Sequence, residues 1–157
     1  DACVAVMMLC EVASWYKKQG KTLWDAMLEM YEQYGYYREG LETLTLAGQS
    51  GAKQIQDMME RIRTAPPKLF GAYKVLAFRD YKKDVRVDFV TNQEEKTGRP
   101  DSNVLYFELS DGAWCCVRPS GTEPKIKFYF GVREDSLAQA DSKLAELKKE
   151  VMKGFQA

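Results

Sequence analysis

The sequence predicts an α+β fold, in which a largely antiparallel sheet carries packed helices and follows a helical segment. Three observations support this prediction. Apolar residues recur every three or four positions near both ends of the chain, they alternate with polar residues across much of the middle, and turn residues separate the alternating stretches. The 157 residues are enough for one ordinary domain and part of another.

Two helices are predicted within residues 1–38. The first has an apolar stripe at helical spacing and ends near Gly20; the stripe contains Val4, Met8, Val12 and Trp15. The second begins after Thr22, a good N-cap residue, and ends at Gly35. Exposed apolar stripes promote association, so we expect both helices to pack on the rest of this chain or on a segment upstream of it.

A third helix and a final helix flank the predicted sheet. The third follows a turn at Gly48, Ser50 and Gly51, ends before Pro66, and has the apolar residues Ile55, Met58, Met59 and Ile62. The final helix is capped by Ser136 or Asp135, and its apolar residues are Leu137, Ala140, Leu144, Leu147 and Val151. Each helix therefore has one face that can cover a sheet.

Alternation between apolar and polar residues predicts the strands. The segments are 36–46, 73–80, 85–89, 105–109, 113–117 and 126–132. Residues 91–103 form a polar loop, and Asp111-Gly112 is a good hairpin turn. Residues 39–157 are thus predicted to form one α+β domain, and residues 1–38 the helical end of a preceding unit.

Composition excludes several classes of function. The 23 Lys and Arg residues balance the 23 Asp and Glu residues, which argues against nucleic acid or an anionic membrane as a partner. The chain has no His, so it cannot build a Ser-His-Asp triad, an imidazole zinc site or a His acid/base pair. No stretch is long and apolar enough to span a membrane.

The four cysteines are typical of a cytosolic protein. Cys3 and Cys10 lie seven positions apart on a predicted helix, about 10 Å from one another, which is too far for a disulfide. Cys115 and Cys116 are adjacent in a predicted strand and point to opposite faces. We expect four reduced, mostly buried thiols.

The segment with the most chemistry is residues 118–125, Arg-Pro-Ser-Gly-Thr-Glu-Pro-Lys, between two predicted strands. Arg118 can bond two phosphate oxygens at once, and the hydroxyls of Ser120 and Thr122 can donate to a phosphate. Gly121 allows consecutive backbone N–H groups to turn inward around an anion. Lys125 and Lys127 add positive charge.

The residues alone leave other interpretations open. The loop is also compatible with an ordinary turn whose Arg is solvated, because short loops of Ser, Gly, Thr and Pro are common. The aromatic residues of the strands could form a base-stacking surface, but their alternation favours core on one face and partial cover on the other. These residues are Tyr106, Phe107, Trp114, Phe128, Tyr129 and Phe130.

Residues 118–129, Arg-Pro-Ser-Gly-Thr-Glu-Pro-Lys-Ile-Lys-Phe-Tyr, resemble the phosphate-binding loop in the C-terminal domain of the α-D-phosphohexomutase family, which contains phosphoglucomutases and phosphomannomutases. Residues 1–6, 36–41 and 51–55 are similar to the end of the third domain and the start of the fourth domain in larger bacterial members. The resemblance implies that residues 1–38 end an α/β domain and that residues 39–157 form a TATA-binding-protein-like α+β domain.

The resemblance implies a reaction for the parent protein. In the family, a phosphoserine gives its phosphoryl group to a hexose monophosphate, and the resulting bisphosphate returns its other phosphoryl group, so that 1-phosphate and 6-phosphate interconvert. Mg²⁺ assists the transfer, and hexose 1,6-bisphosphate is the intermediate and activator. An α-phosphoglucomutase of the cytoplasm is the favoured member. Arg118, Ser120 and Thr122 would bond the phosphate that is not transferred, Gly121 would donate its N–H, and Lys125 would assist less directly.

The sequence lacks counterparts of the family's phosphoserine, metal-binding and sugar-recognition loops. We therefore expect no catalytic residue and no metal ligand here, with a phosphosugar and upstream domains of the same chain as partners. The chain alone is therefore expected to fold and to be inactive. Its affinity for a phosphosugar is expected to be weak at most, because one quarter of a cleft offers little contact to offset the entropy lost on binding. The alternative is a stand-alone, non-enzymatic α+β module that binds nucleic acid or protein.

Overall fold

The structure is a computed structural model that describes residues 1–46, 48–99 and 101–156. Its helices are α1 (Ala2–Lys17), α2 (Leu23–Tyr34), α3 (Gly48–Thr64) and α4 (Leu137–Gln156). Its strands are β1 (Tyr36–Thr45), β2 (Leu69–Phe70), β3 (Tyr73–Asp80), β4 (Val85–Asp88), β5 (Glu94–Glu95), β6 (Leu105–Leu109), β7 (Trp114–Pro119) and β8 (Lys125–Glu134). The predicted α+β class is confirmed.

All strand pairs in the described residues are antiparallel, in the order β1-β8-β7-β6-β3-β4-β5, and β2 also pairs with β3. Strands β1 and β8 pair along their full lengths, from Tyr36 opposite Glu134 to Thr45 opposite Lys125. The predicted division between residues 1–38 and 39–157 falls inside β1, so residues 36–38 belong to the sheet. The strands β7 and β8 that carry the candidate loop lie in the interior of this sheet.

Helices α3 and α4 cover one face of the sheet and form the core with it. Phe155 of α4 lies against the rings of Phe107 and Phe128, with ring centroids 6.2 and 5.0 Å away. Phe107, Phe128 and Phe130 are fully buried, and burial of each such ring contributes about 2–3 kcal/mol. Their neighbours on the opposite face are Tyr106, Trp114 and Tyr129, all half-buried. The prediction of core on one face and partial cover on the other is confirmed.

The helical pair begins and ends as predicted, but α1 lacks the predicted cover. Asp25 N donates to Thr22 Oγ1 at 3.2 Å and Asp25 Oδ2 accepts from Thr22 N at 2.8 Å, a capping box that starts α2. Gly35, with φ of 101°, ends it. No residue of α1 is buried, and Val4 and Met8 are more than half exposed. Within the described residues α1 is therefore not covered by the rest of this chain, and packing on a segment upstream stays a prediction.

The structure corrects the predicted turn before α3. Gly48, Ser50 and Gly51 lie in the first turn of α3. Gly51 sits so close to the carbonyl of Leu46 that an added Cβ would lie 2.0 Å from the oxygen. Glycine is used there for a close approach inside a helix rather than for a separate turn. The Asp111-Gly112 turn is confirmed, since both residues have positive φ, 57° and 68°.

The cysteines are free, as expected, but they are not mostly buried. Cys115 is buried and Cys116 is half-buried, whereas Cys3 and Cys10 are exposed. The exposure of this second pair follows from the uncovered position of α1. Among the helices of the described residues, none is long and apolar enough to cross a membrane.

Candidate functional site

The candidate site is built on the loop that joins β7 to β8. The loop is closed by backbone hydrogen bonds, in which Ser120 N donates to Lys125 O at 2.8 Å and Lys125 N donates to Glu123 O at 2.7 Å. The carbonyl of Pro124 accepts from Leu46 N at 3.0 Å, which ties the loop to the end of β1. The two strands and this tie fix the ends of the loop, so little ordering is needed for it to bind a ligand.

One depression on the helix-free face of the sheet brings together four of the five predicted site residues. It has a volume of about 400 Å³ and is lined by Arg118, Pro119, Ser120, Gly121, Thr122, Lys127 and Tyr129. Arg118 and Lys127 are paired residues on adjacent strands, which sets their Cβ atoms about 5 Å apart. Both are exposed. Two cations with these positions and the neighbouring hydroxyls can bind a phosphate from two sides.

Neither cation of this depression is neutralised by a carboxylate in the described part of the chain. The ion pairs found there within 4.0 Å do not include Arg118 or Lys127. The chain as a whole carries no net charge. A local excess of positive charge therefore exists at the loop even though the composition is balanced.

Lys125, the fifth predicted residue, does not line this depression. Its Nζ is 3.1 Å from Glu123 Oε1 in a partly exposed ion pair. It lines a second depression of about 660 Å³, which also contains Ala52 and Gln56 of α3. Ser120, Gly121 and Thr122 border both depressions.

Gly121 does not have the backbone conformation that its predicted role suggested. No residue of 118–125 has positive φ, so the inward turn of N–H groups around a left-handed glycine is absent from this loop. Instead, Thr122 N donates to Ser120 Oγ at 3.4 Å. An added Cβ at Gly121 would meet nothing within 4 Å, so glycine leaves the rim of the depression open.

The two thiols of β7 are poor nucleophiles. Burial raises the pKa of Cys115 well above its ordinary value and also raises the pKa of Cys116. The positive charge of Arg118 acts on Cys116 in the opposite direction, which reflects how near the guanidinium lies. Both thiols are protonated near neutral pH, and the arrangement is suited to holding an anion rather than to covalent chemistry.

The described residues do not form a binding site for the Mg²⁺ ion that the resemblance implies for the parent protein. Within residues 1–46, 48–99 and 101–156, no group of three or more His, Cys, Asp or Glu side chains could hold a metal ion. The carboxylate nearest the loop, Glu123, is engaged by Lys125. We therefore derive no step of the reaction through a metal bound to this chain.

Three lining residues were not among the predicted site residues: Pro119 within the loop, and Lys127 and Tyr129 on β8. The last two lie outside the predicted loop. A signal for them exists in the sequence, because both alternate with the buried residues Ile126 and Phe128 and so must face away from the core. Lys127 is the pairing partner of Arg118, which directly precedes the loop, so the face of β8 that carries Lys127 and Tyr129 lies next to the loop.

Comparison with known proteins identifies the family. Residues 58–153 match the family described as "Phosphoglucomutase/phosphomannomutase, C-terminal domain". The chain is 34% identical over 139 residues to a phosphoglucomutase of Staphylococcus haemolyticus, and 35% identical over 133 residues to one of Staphylococcus aureus. These alignments cover 88% and 85% of the chain. They cover only 25% and 24% of the relatives, so the chain spans about a quarter of their length.

A solved structure supports the fold. The open form of the exocytosis-sensitive phosphoprotein pp63/parafusin, a phosphoglucomutase from Paramecium, superposes with a TM-score of 0.58 at 18% sequence identity. The superposition covers 99% of this chain and 28% of that one. The match of residues 58–153 extends over more than half of the chain and includes the loop described above. The chain therefore belongs to the phosphoglucomutase/phosphomannomutase family.

Proposed function

We propose that this chain is the C-terminal part of a phosphoglucomutase, and that its β7–β8 loop holds the phosphate of the hexose phosphate that is not being transferred. The observation that carries the proposal is the depression in which Arg118, Ser120, Thr122 and Lys127 converge without a carboxylate partner for either cation in the described residues. Such a set favours a small, doubly charged anion.

The proposed mechanism of this part of the enzyme is positioning. Arg118 donates two N–H···O hydrogen bonds to phosphate oxygens, and Lys127 adds a positive charge from the neighbouring strand. The hydroxyls of Ser120 and Thr122 donate the remaining hydrogen bonds. A phosphate fixed in this way orients the other end of the sugar toward the reacting groups, and such positioning can lower a barrier by several kcal/mol.

The other components of the reaction are proposed for the longer parent protein. These are the phosphoserine, the Mg²⁺ ion, hexose 1,6-bisphosphate as intermediate, and interconversion of hexose 1-phosphate and 6-phosphate, with glucose favoured because the relatives are named phosphoglucomutases. Four free thiols are typical of a reducing compartment, so we propose a cytoplasmic location.

An NMR titration tests the binding role. When glucose 6-phosphate is added to the ¹⁵N-labelled chain, we expect amide shifts at Ser120, Gly121 and Thr122. Arg118→Ala should weaken binding about 10- to 100-fold, because it removes hydrogen bonds to a charged group. Lys149→Ala is the matched control, since it removes one exposed positive charge from α4, away from the loop.

Three results would contradict the binding role. They are an absence of shifts in the loop, shifts that persist in Arg118→Ala, and a salt-sensitive complex with an oligonucleotide in place of phosphosugar binding. The last result would favour the non-enzymatic binding module.

An activity assay tests the proposed division of labour. The purified chain should show no conversion of glucose 1-phosphate into glucose 6-phosphate, with Mg²⁺ and glucose 1,6-bisphosphate present, because the transferring groups are proposed to lie outside it. Conversion above the rate of a buffer control by the purified chain would refute this part of the proposal.

A further inference from the structure

The depression at the loop has a second, aromatic end that the phosphate does not use. Arg118, Ser120 and Thr122 lie at its loop end, whereas Tyr129 lies two residues farther along β8 than Lys127. Two residues of a strand span about 6.6 Å, so the Cα atoms of Lys127 and Tyr129 are separated by a distance comparable to the size of a sugar ring. The site therefore changes from charged to aromatic along β8.

The size of the depression also exceeds what a phosphate needs. Water occupies about 30 Å³ per molecule in the liquid, so the five heavy atoms of a phosphate need roughly 150 Å³ at most. The depression has about 400 Å³. The remaining space is enough for a six-membered sugar ring, and the total falls within the usual range for small-molecule sites.

Tyr129 is half-buried and has apolar neighbours on the adjacent strands. Its partners in the register are Cys116 on β7 and Leu41 on β1, both on the helix-free face. Leu41 is 49% exposed and Tyr129 is half-buried, so this part of the sheet is apolar and accessible. A tyrosine there offers a rigid apolar face together with a hydroxyl that can donate to or accept from a sugar hydroxyl.

We propose that Tyr129 contacts the sugar ring of the phosphosugar whose phosphate lies between Arg118 and Lys127, and that it thereby gives the chain a higher affinity for hexose phosphates than for inorganic phosphate. The inference rests on the proposed function, because it uses the same phosphate position. It adds to the phosphate-binding residues of this chain one residue that contacts the sugar.

The test compares two ligands in each variant. Dissociation constants of inorganic phosphate and of glucose 6-phosphate are measured by NMR titration for the original chain, Tyr129→Leu and Tyr129→Phe. The original chain should bind glucose 6-phosphate about fivefold more tightly than inorganic phosphate, as expected for one added aromatic contact. Tyr129→Leu should reduce this ratio to below twofold and leave the affinity for inorganic phosphate unchanged. Tyr129→Phe should keep most of the ratio.

The outcomes separate this inference from the proposed function. If both ligands bind and their ratio is the same in Tyr129→Leu as in the original chain, the role of Tyr129 is refuted and the phosphate site stands. Equal loss of both affinities in Tyr129→Leu would also refute it, because the side chain would then act only on the shape of the loop. If neither ligand binds the original chain, the proposed function fails, and the inference fails with it.

Discussion

At the scale of single residues, Gly131 of β8 and Gly121 of the β7–β8 loop have opposite surroundings. The indole ring of Trp114 lies over Gly131, so that an added Cβ would be 2.1 Å from the indole nitrogen, whereas Gly121 has nothing within 4 Å. Gly131→Ala should destabilise the fold by about 1–3 kcal/mol, because the indole must move off its stack with Tyr106. Gly121→Ala should change stability by less than about 0.5 kcal/mol.

Urea unfolding followed by tryptophan fluorescence measures both glycine variants. Equal free energies of unfolding for the two variants would contradict the packing described for Trp114. A larger loss of stability in Gly121→Ala than in Gly131→Ala would contradict that packing more strongly.

A second prediction at this scale concerns the stability contributed by the most deeply buried charged side chains. Arg63 Nε lies 2.9 Å from Asp80 Oδ2, and both side chains are nearly inaccessible to water. Arg63 also donates to Asn103 Oδ1 at 2.8 Å. Arg63→Ala leaves a buried carboxylate without its partner and should cost about 3–5 kcal/mol. Lys153→Ala, which breaks the exposed pair with Glu150, should cost less than about 1 kcal/mol.

Thermal or urea unfolding measures the stability of Arg63→Ala and of Lys153→Ala relative to the original chain. A small effect of Arg63→Ala, similar to that of the exposed pair, would mean that the buried pair does not hold α3 to β3.

At the scale of elements, one carboxylate links three strands on the helix-free face. Glu108 of β6 accepts from Arg79 Nε of β3 at 2.7 Å, and from Arg86 Nη2 of β4 at 2.9 Å. Arg86 continues the network to Glu95 of β5 at 3.0 Å. The hydrogen bonds from Arg86, and then those from Arg79, hold the pKa of Glu108 below its usual range.

This lowered pKa predicts how stability depends on pH. A carboxyl group whose pKa is lower in the folded state stabilises the fold above its unfolded pKa of about 4.3, and that contribution is lost as the pH falls through the folded value. Glu108→Gln should therefore unfold more easily at pH 7, and its deficit relative to the original chain should shrink as the pH approaches 3. Glu32→Gln, at an exposed position of α2, is the matched control.

Urea unfolding from pH 7 to pH 3 checks this prediction. A deficit of Glu108→Gln that stays constant over the whole pH range would show that the charge of Glu108 does not stabilise the sheet.

At the scale of the whole molecule, the sequence predicts six of the strands to within two residues and misses the two-residue strands β2 and β5. Strands β3 and β6 begin and end at the predicted residues because each alternates on a half-buried face. The edge strand β1 faces α4 with Arg38 and Glu42, which pair with Asp141 and Lys148. The sequence predicts this strand over 36–46, but polar residues on both of its faces do not show which unit it joins, so the predicted division at 38/39 falls within it.

The candidate site could be predicted from the sequence as a loop, but not as a depression. The motif supplies Arg118, Ser120 and Thr122, and alternation on β8 could supply Lys127 and Tyr129. Lys127 lines one depression at the loop and Lys125 the other, and this difference involves the ion pair of Lys125 with Glu123 and the position of α3. Such tertiary details leave no periodic signal in the sequence.

The central claim is that phosphate binds on the side of the loop where Arg118 and Lys127 lie. The most direct test is the dissociation constant of glucose 6-phosphate for Lys127→Ala and Lys125→Ala, measured by the same NMR titration. The two variants lose the same charge from neighbouring positions of one strand. The structure predicts that Lys127→Ala weakens binding about tenfold or more, and that Lys125→Ala changes it by less than about twofold. A larger loss in Lys125→Ala, or no loss in Lys127→Ala, would contradict the claim.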